Sequence, residues 1–153
     1  MSFAIMDVAG ITSRRISTIV LAVSMVLTSS FGVVAGEGKE HDELDARVEA
    51  FLAKNRYAWR DMNVPVSDAR LLHDLVVQGG YTRALEIGTS TGHSGIWIAW
   101  ALAKTGGKLI TVEIDEWRYR EALANFEEAG LSDVVDARLA DAHVLVPELE
   151  GPI

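Results

Sequence analysis

Two carboxylates bracket a glycine-rich turn in this chain. Glu86 follows the apolar pair Ala84-Leu85 and leads into Ile87-Gly88-Thr89-Ser90-Thr91-Gly92-His93-Ser94-Gly95. Glu113 ends a second apolar run, Leu109-Ile110-Thr111-Val112. A strand that breaks into a glycine-rich turn and then opens a helix brings backbone N–H groups against a nucleotide-like ligand. The spacing narrows the choice of ligand. A dinucleotide fingerprint reads G-x-G-x-x-G, whereas here three residues separate Gly88 from Gly92, position 90 is serine and an acid precedes the turn.

A carboxylate at Glu86 repels a pyrophosphate and suits a ligand with a cationic amino-acid end. Glu113 stands where an acid accepts both ribose hydroxyls of an adenosine. Asp141-Ala142, after a third apolar run, stands within reach of an adenine ring. S-adenosylmethionine (SAM) meets all three demands. Taken singly, each residue has a plainer reading: Glu113 as a solvated strand end, Asp141 as a helix N-cap. Their joint spacing with the glycine turn favours SAM over a purely structural role or a nicotinamide dinucleotide. His41, His73 and His143 have no partner at metal-ligand spacing and read as ordinary surface or helix residues, and neither H-E-x-x-H nor G-x-S-x-G occurs.

The elements that must position these groups follow from periodicity. Thr82–Ile87, Lys108–Ile114 and Val134–Leu139 are short β-rich runs, separated by helical patterns over Thr91–Ala103 and from Asp115 to Ala129. Asp115 predicts an N-cap and Gly130 a C-terminal stop. Ala142–Leu149 predicts a short helix. Strands alternating with helices of this length predict βαβ units and a parallel sheet of about three strands, the first half of a doubly wound α/β domain, with a first or third strand left as a bare edge. Upstream, Asp42–Asn55 has an apolar residue every three or four positions and predicts a helix. Ser67 predicts the N-cap of another helix, whose buried stripe is Ala69, Leu72, Leu75 and Val76 and whose stop is Gly79-Gly80. Between them, Trp59 and Met62 read as core plugs.

Residues 1–35 carry a basic, then apolar, then small-residue pattern. Arg14 and Arg15 precede Ile16–Leu27, and Val33-Val34-Ala35 lies before Gly36, as in an export signal. An uncleaved membrane anchor is the alternative, since Ile16–Ala35 is about long enough to span a bilayer, and a mis-assigned start leaving a cytoplasmic protein is the plain one. Gly36 to Glu40 reads as a linker. The expected organisation is 1–35 signal or anchor, 36–80 helical segment, and 81–153 cofactor half-domain. Net charge is −8 with no cysteine. That balance argues against nucleic-acid partners, which demand Lys and Arg against phosphates, and rules out disulfides and thiolate sites.

The stretch Glu86 to Ser94, followed by Leu109-Ile110-Thr111-Val112-Glu113-Ile114, resembles small-molecule O-methyltransferases of the catechol and caffeoyl-CoA type, class I SAM-dependent enzymes with a Rossmann-like fold. Met62-Asn63-Val64 is similar to the segment that closes over the methionine part of the cofactor in catechol O-methyltransferases. The resemblance covers about Tyr57 to Ile153. It implies that Val64 and Ser94 contact the methionine end, that Glu86 and the loop Gly88-Thr89-Ser90 line it, that Glu113 holds the ribose, and that Asp141 and Ala142 border the adenine. It further implies a small, catechol-like hydroxylated acceptor and a divalent cation such as Mg. The family's metal ligands and its substrate-deprotonating lysine would fall after Ile153, with no counterpart here. The implied chemistry is in-line attack of a metal-held hydroxylate on the sulfonium methyl, which depends on placing two partners and neutralising the oxygen. The expectation is thus the cofactor half of such an enzyme, or a truncated non-catalytic remnant of one; an NAD-dependent oxidoreductase is the reading from another class. Oligomeric state stays open, a homodimer included.

Overall fold

The computed structural model describes residues 3–6, 34–59 and 61–151. Most of the segment read as an export signal or anchor, residues 7–33, therefore lies outside the described residues. No helix among the described residues is long and apolar enough to cross a membrane.

Three parallel strands form the predicted sheet: β2 (Arg83–Ile87), β3 (Lys108–Glu113) and β4 (Val135–Leu139), hydrogen-bonded in that order. A strand upstream of these three was not foreseen. Residues Phe3–Met6 form β1, antiparallel to β2 with Phe3 opposite Ile87 and Met6 opposite Ala84, so the edge of β2 expected to be bare is paired. β4 is the other edge among the described residues.

Crossovers stepping one way along a parallel sheet place their helices on one face. Accordingly α3 (His93–Thr105) and α4 (Glu116–Ala129) pack against each other and against the strands. Helix α3 is apolar around its whole circumference, and every residue from His93 to Leu102 is buried. An all-apolar helix needs cover on every side. The strands cover one side, while α1 (Val34–Lys54) and above all α2 (Val66–Gly79) supply the rest. Ile96, Ile98 and Leu102 are fully buried, each contributing about 1.5–3 kcal/mol of transfer free energy.

Helix punctuation is only partly as expected. Asp115 caps α4, its carboxylate accepting from the Arg118 N–H at 2.9 Å, and Gly130 ends that helix in the left-handed conformation. At α2 the cap position falls to Pro65 instead. Ser67 sits inside the helix and its hydroxyl donates to the Asp68 carboxylate. Proline's preset φ takes the entry that the serine was expected to make. Leu75 is 44% exposed rather than part of the buried stripe, which is made by Ala69 and Val76 with Leu72 alongside. Residues 36–40 are not a linker but part of α1; Glu and Lys are good helix formers and can extend an amphipathic helix into solvent. The predicted final helix is split into α5 (Ala142–Leu145) and a 3-10 turn over Val146–Glu148, where Pro147 interrupts the α pattern.

Candidate cofactor-binding site

Glu86 is completely buried near the C-terminal end of β2. Its carboxylate accepts from Ser94 Oγ of α3 at 2.5 Å and from Thr111 Oγ1 of β3 at 2.7 Å. Thr111 is the cross-strand neighbour of Glu86 in the parallel register. Because the single hydroxyl proton of Thr111 goes to Glu86, the 2.5 Å contact between Thr89 and Thr111 must be donated by Thr89. Three sequence-predicted residues, Thr89, Glu86 and Ser94, thus form one buried network through a fourth, Thr111, which had been assigned no role.

The loop itself is shaped by unusual backbone. Gly88 and Gly92 have φ of +86° and +95°, and Ser90 has φ of +50°, the only positive-φ non-glycine residue among those described. A side chain in the left-handed region costs free energy and points to a site where the surroundings enforce it. The enforcing contact is Glu113, 5% exposed, whose carboxylate accepts from the Ser90 N–H at 2.7 Å. Its other oxygen accepts from the N–H groups of Ile114 and Asp115 at 2.9 and 3.0 Å. Ser90 Oγ is buried without a hydrogen-bond partner of proper geometry, although it lies close enough to Asp61 to help depress that carboxyl's pKa. Gly95 is required by contact rather than by φ: a Cβ there would sit 2.9 Å from Phe126 Cζ and 3.0 Å from Glu86 Oε2. Helix α3 starts without a side-chain cap and without an acid in its first turn, leaving its terminal N–H groups on the loop side.

Val64 approaches from the segment before α2. Its carbonyl lies 3.0 Å from His93 Nδ1, and Asn63 Nδ2 donates to Thr91 Oγ1 at 3.1 Å. Met62, expected as a core plug, is 61% exposed, whereas Trp59 is half-buried and does pack on the core. Asp61 and Arg118 form a two-point ion pair, 2.6 and 3.2 Å. The guanidinium holds the Asp61 carboxyl below the usual carboxylate range, with the Met62 N–H adding to the effect. The pair stands beside a cleft of about 520 Å3 whose walls include Trp59, Thr91, Trp117 and Asn125.

The end of β4 is brought to the same crevice, because the Ala140 N–H donates to the Glu113 carbonyl at 2.9 Å. Asp141 nevertheless spends its carboxylate on the first turn of α5, accepting from the His143 N–H at 2.9 Å, so the helix-cap reading describes its contacts here. Ala142 lines a shallow apolar cleft of about 350 Å3 with Ile87, Val146 and Pro147. His143 is solvated and His73 is half-buried against Trp100 and Trp97. Among the described residues no group of three or more His, Asp or Glu could hold a metal ion.

The family model for O-methyltransferases matches residues 36–151. The chain belongs to the O-methyltransferase family. Among its relatives, the flavonoid 3',5'-methyltransferase of Vitis vinifera is 30% identical over 111 residues, covering 72% of this chain and 46% of that protein. The catechol O-methyltransferase of Niastella koreensis is 43% identical over 65 residues, 42% of this chain and 29% of that protein. The chain therefore spans about half, or less, of the length of these O-methyltransferases. Among solved structures, an O-methyltransferase from Bacillus cereus in complex with SAH superposes with a TM-score of 0.56 at 30% identity, covering 74% of this chain and 53% of that one. An O-methyltransferase from Streptomyces achromogenes involved in tomaymycin synthesis, in complex with SAM, gives 0.56 at 27% identity, with 77% and 54% coverage. The Rossmann-like α/β architecture expected from the sequence is the architecture of these O-methyltransferases.

His93, Thr111, Asp61 and Arg118 were missed as contributors. Two left a trace. Thr111 is a polar residue within the apolar run of β3, and His93 is the one ionisable residue in an otherwise apolar or small stretch from Ile87 to Leu102. Asp61 and Arg118 are 57 residues apart, and nothing local pairs them.

Proposed function

We propose that this chain binds SAM at the crevice formed by the ends of β2, β3 and β4, as the cofactor-holding part of an O-methyltransferase acting on a small hydroxylated, catechol-like acceptor. The observation that carries the reading is the loop Gly88–Gly92, held by Glu113 through a strained Ser90 whose buried hydroxyl has no well-formed hydrogen bond. A ligand arriving there can supply the missing partner. The uncapped start of α3 suits a carboxylate and buried Glu86 a nearby ammonium, which are the two ends of an amino acid. Glu113 retains acceptor capacity for a ribose hydroxyl, since a carboxylate has about four lone-pair sites and three are used. Val64 would border the methionine end and Asp141 and Ala142 the adenine.

The cofactor supplies an electrophilic methyl on a sulfonium. The protein's part is to fix that methyl's position and keep water from it, using Glu86 and Ser94 on rigid elements and residues 61–64 across the loop. The catechol-like acceptor is supported by the matched relatives, which are named for flavonoid and catechol substrates. Titration calorimetry with SAM, and with NAD as control, tests the reading. Binding of SAM and not NAD is expected, with Glu113→Ala weakening SAM at least about tenfold, the loss of a charge-assisted contact. Equal SAM affinity in wild type and Glu113→Ala would remove the ribose assignment.

A further inference from the structure

His93 is the first residue of α3 and is 2% exposed, and its ring faces the segment before α2 as well as its own helix. The ring lies 4.6 Å, centroid to centroid, from that of Trp59. Nδ1 is 3.0 Å from the Val64 carbonyl, and Trp97 Nε1 donates to Nε2 at 3.4 Å. One protonation state satisfies both nitrogens. A carbonyl only accepts, so Nδ1 carries the proton; an indole N–H only donates, so Nε2 is bare. Trp97, one turn along α3, thereby selects the tautomer that reaches Val64.

We propose that His93 is a positioning residue that clamps Trp59 and residues 61–64 across the glycine-rich loop and so sets cofactor affinity. The affinity half rests on the reading that this loop holds SAM; the clamp half does not. The other links from this segment run between side chains. Asn63 to Thr91 is a neutral side-chain pair, and Asp61 to Arg118 is partly solvated, with side-chain exposures of 25% and 35%. Among these links, that of His93 combines a ring contact with Trp59, a hydrogen bond to backbone and a donor ring that is 2% exposed. Neighbouring Ser94 donates to Glu86. The clamp and the Glu86 network therefore occupy consecutive residues, and a shift in one is passed to the other within a single turn of helix.

Hydrogen–deuterium exchange separates the clamp from a merely structural role. His93→Phe keeps a ring against Trp59 and removes the donor, while His93→Asn keeps an N–H near the position of Nδ1. In His93→Phe, exchange at the amides of 61–64 is expected to accelerate about three- to tenfold, the range one net hydrogen bond carries, with β2–β4 unchanged. His93→Asn should restore part of the protection. SAM affinity by calorimetry should fall by a similar factor in the Phe variant and recover in step in the Asn variant. Unchanged exchange at 61–64, or acceleration spread evenly through α3 and the strands, overturns the clamp. Should His93→Phe not fold, Trp97→Phe removes the tautomer-selecting donor along with part of a buried ring, and faster exchange at 61–64 beyond that in the rest of α3 is the pattern expected, at smaller amplitude. A wild-type chain that does not bind SAM overturns the affinity half together with the proposed function, and exchange still decides the clamp.

Discussion

Glu86 and Glu113 stand near the ends of neighbouring parallel strands and are both buried, yet different kinds of donor hold them. Glu86 accepts from two side-chain hydroxyls, on α3 and β3. Glu113 accepts from three backbone N–H groups, one in the glycine-rich loop and two in its own following turn. The first arrangement staples a helix to a sheet, and its partners belong to the packed core. The second writes the conformation of a loop, because the N–H of Ser90 can reach Glu113 only with the backbone where it is. Two acids that look alike in the sequence are therefore held differently: one ties a helix to the sheet and the other fixes the glycine-rich loop.

The comparison can be broken at either end. The largest expected effect is on Glu86. Truncation in Glu86→Ala leaves the hydroxyls of Ser94 and Thr111 buried without their acceptor and opens a cavity, and should cost about 3 kcal/mol in urea unfolding. A loss below about 1 kcal/mol would mean that Glu86 is no staple. Glu113→Ala should cost less, about 1 kcal/mol, because two of the three freed N–H groups, those of Ile114 and Asp115, lie in a partly exposed turn. Its main consequence is expected in ligand binding, and equal stability losses in the two variants would erase the distinction.

The smallest effect is a pH dependence at the junction of the two regions. Burial pushes the His93 pKa below its ordinary value of 6.5, with the Val64 carbonyl acting in the opposite direction. The unfolded chain takes up a proton near pH 6.5 that the folded chain refuses, so unfolding gains protons and stability falls as pH drops below that value. The fall ends once the pH passes below the folded pKa. Asp61 contributes in a separate window: Arg118 lowers its pKa from 3.8, so its share is intact above that value and fades only as pH falls through the lowered one. Melting temperatures between pH 7.5 and 5.5 should therefore decline in wild type and decline less in His93→Asn. Parallel curves would show that His93 titrates alike folded and unfolded.

What the sequence disclosed and what it hid follow from range. The βαβ order was legible because short strand patterns, such as Leu109 to Val112 in β3, alternate with helices that end on glycine, as α3 does at Gly106 and α4 at Gly130. The glycine turn and its two acids were legible for the same local reason. Strand β1 was not, since four residues pair with β2 some 80 positions away and sit inside a segment whose composition suggests export. Ser67 misled because Pro65 can open the helix without a side-chain acceptor. The partners of Glu86 were hidden as well. Thr111 faces it only through the register of two strands, and Ser94 only through the packing of α3, neither of which is written in any one stretch.

Helix α3 turns Trp97 and Trp100 toward the α1–α2 layer, while Trp117 is 64% exposed on α4. Loss of the α1–α2 layer wets these two indoles, whose partners Asp45 and His73 lie there. The intrinsic fluorescence of this protein is thus a built-in reporter of cooperativity, and a single transition in it, coincident with the far-ultraviolet circular dichroism, would mean that the helical layer and the sheet melt as one body.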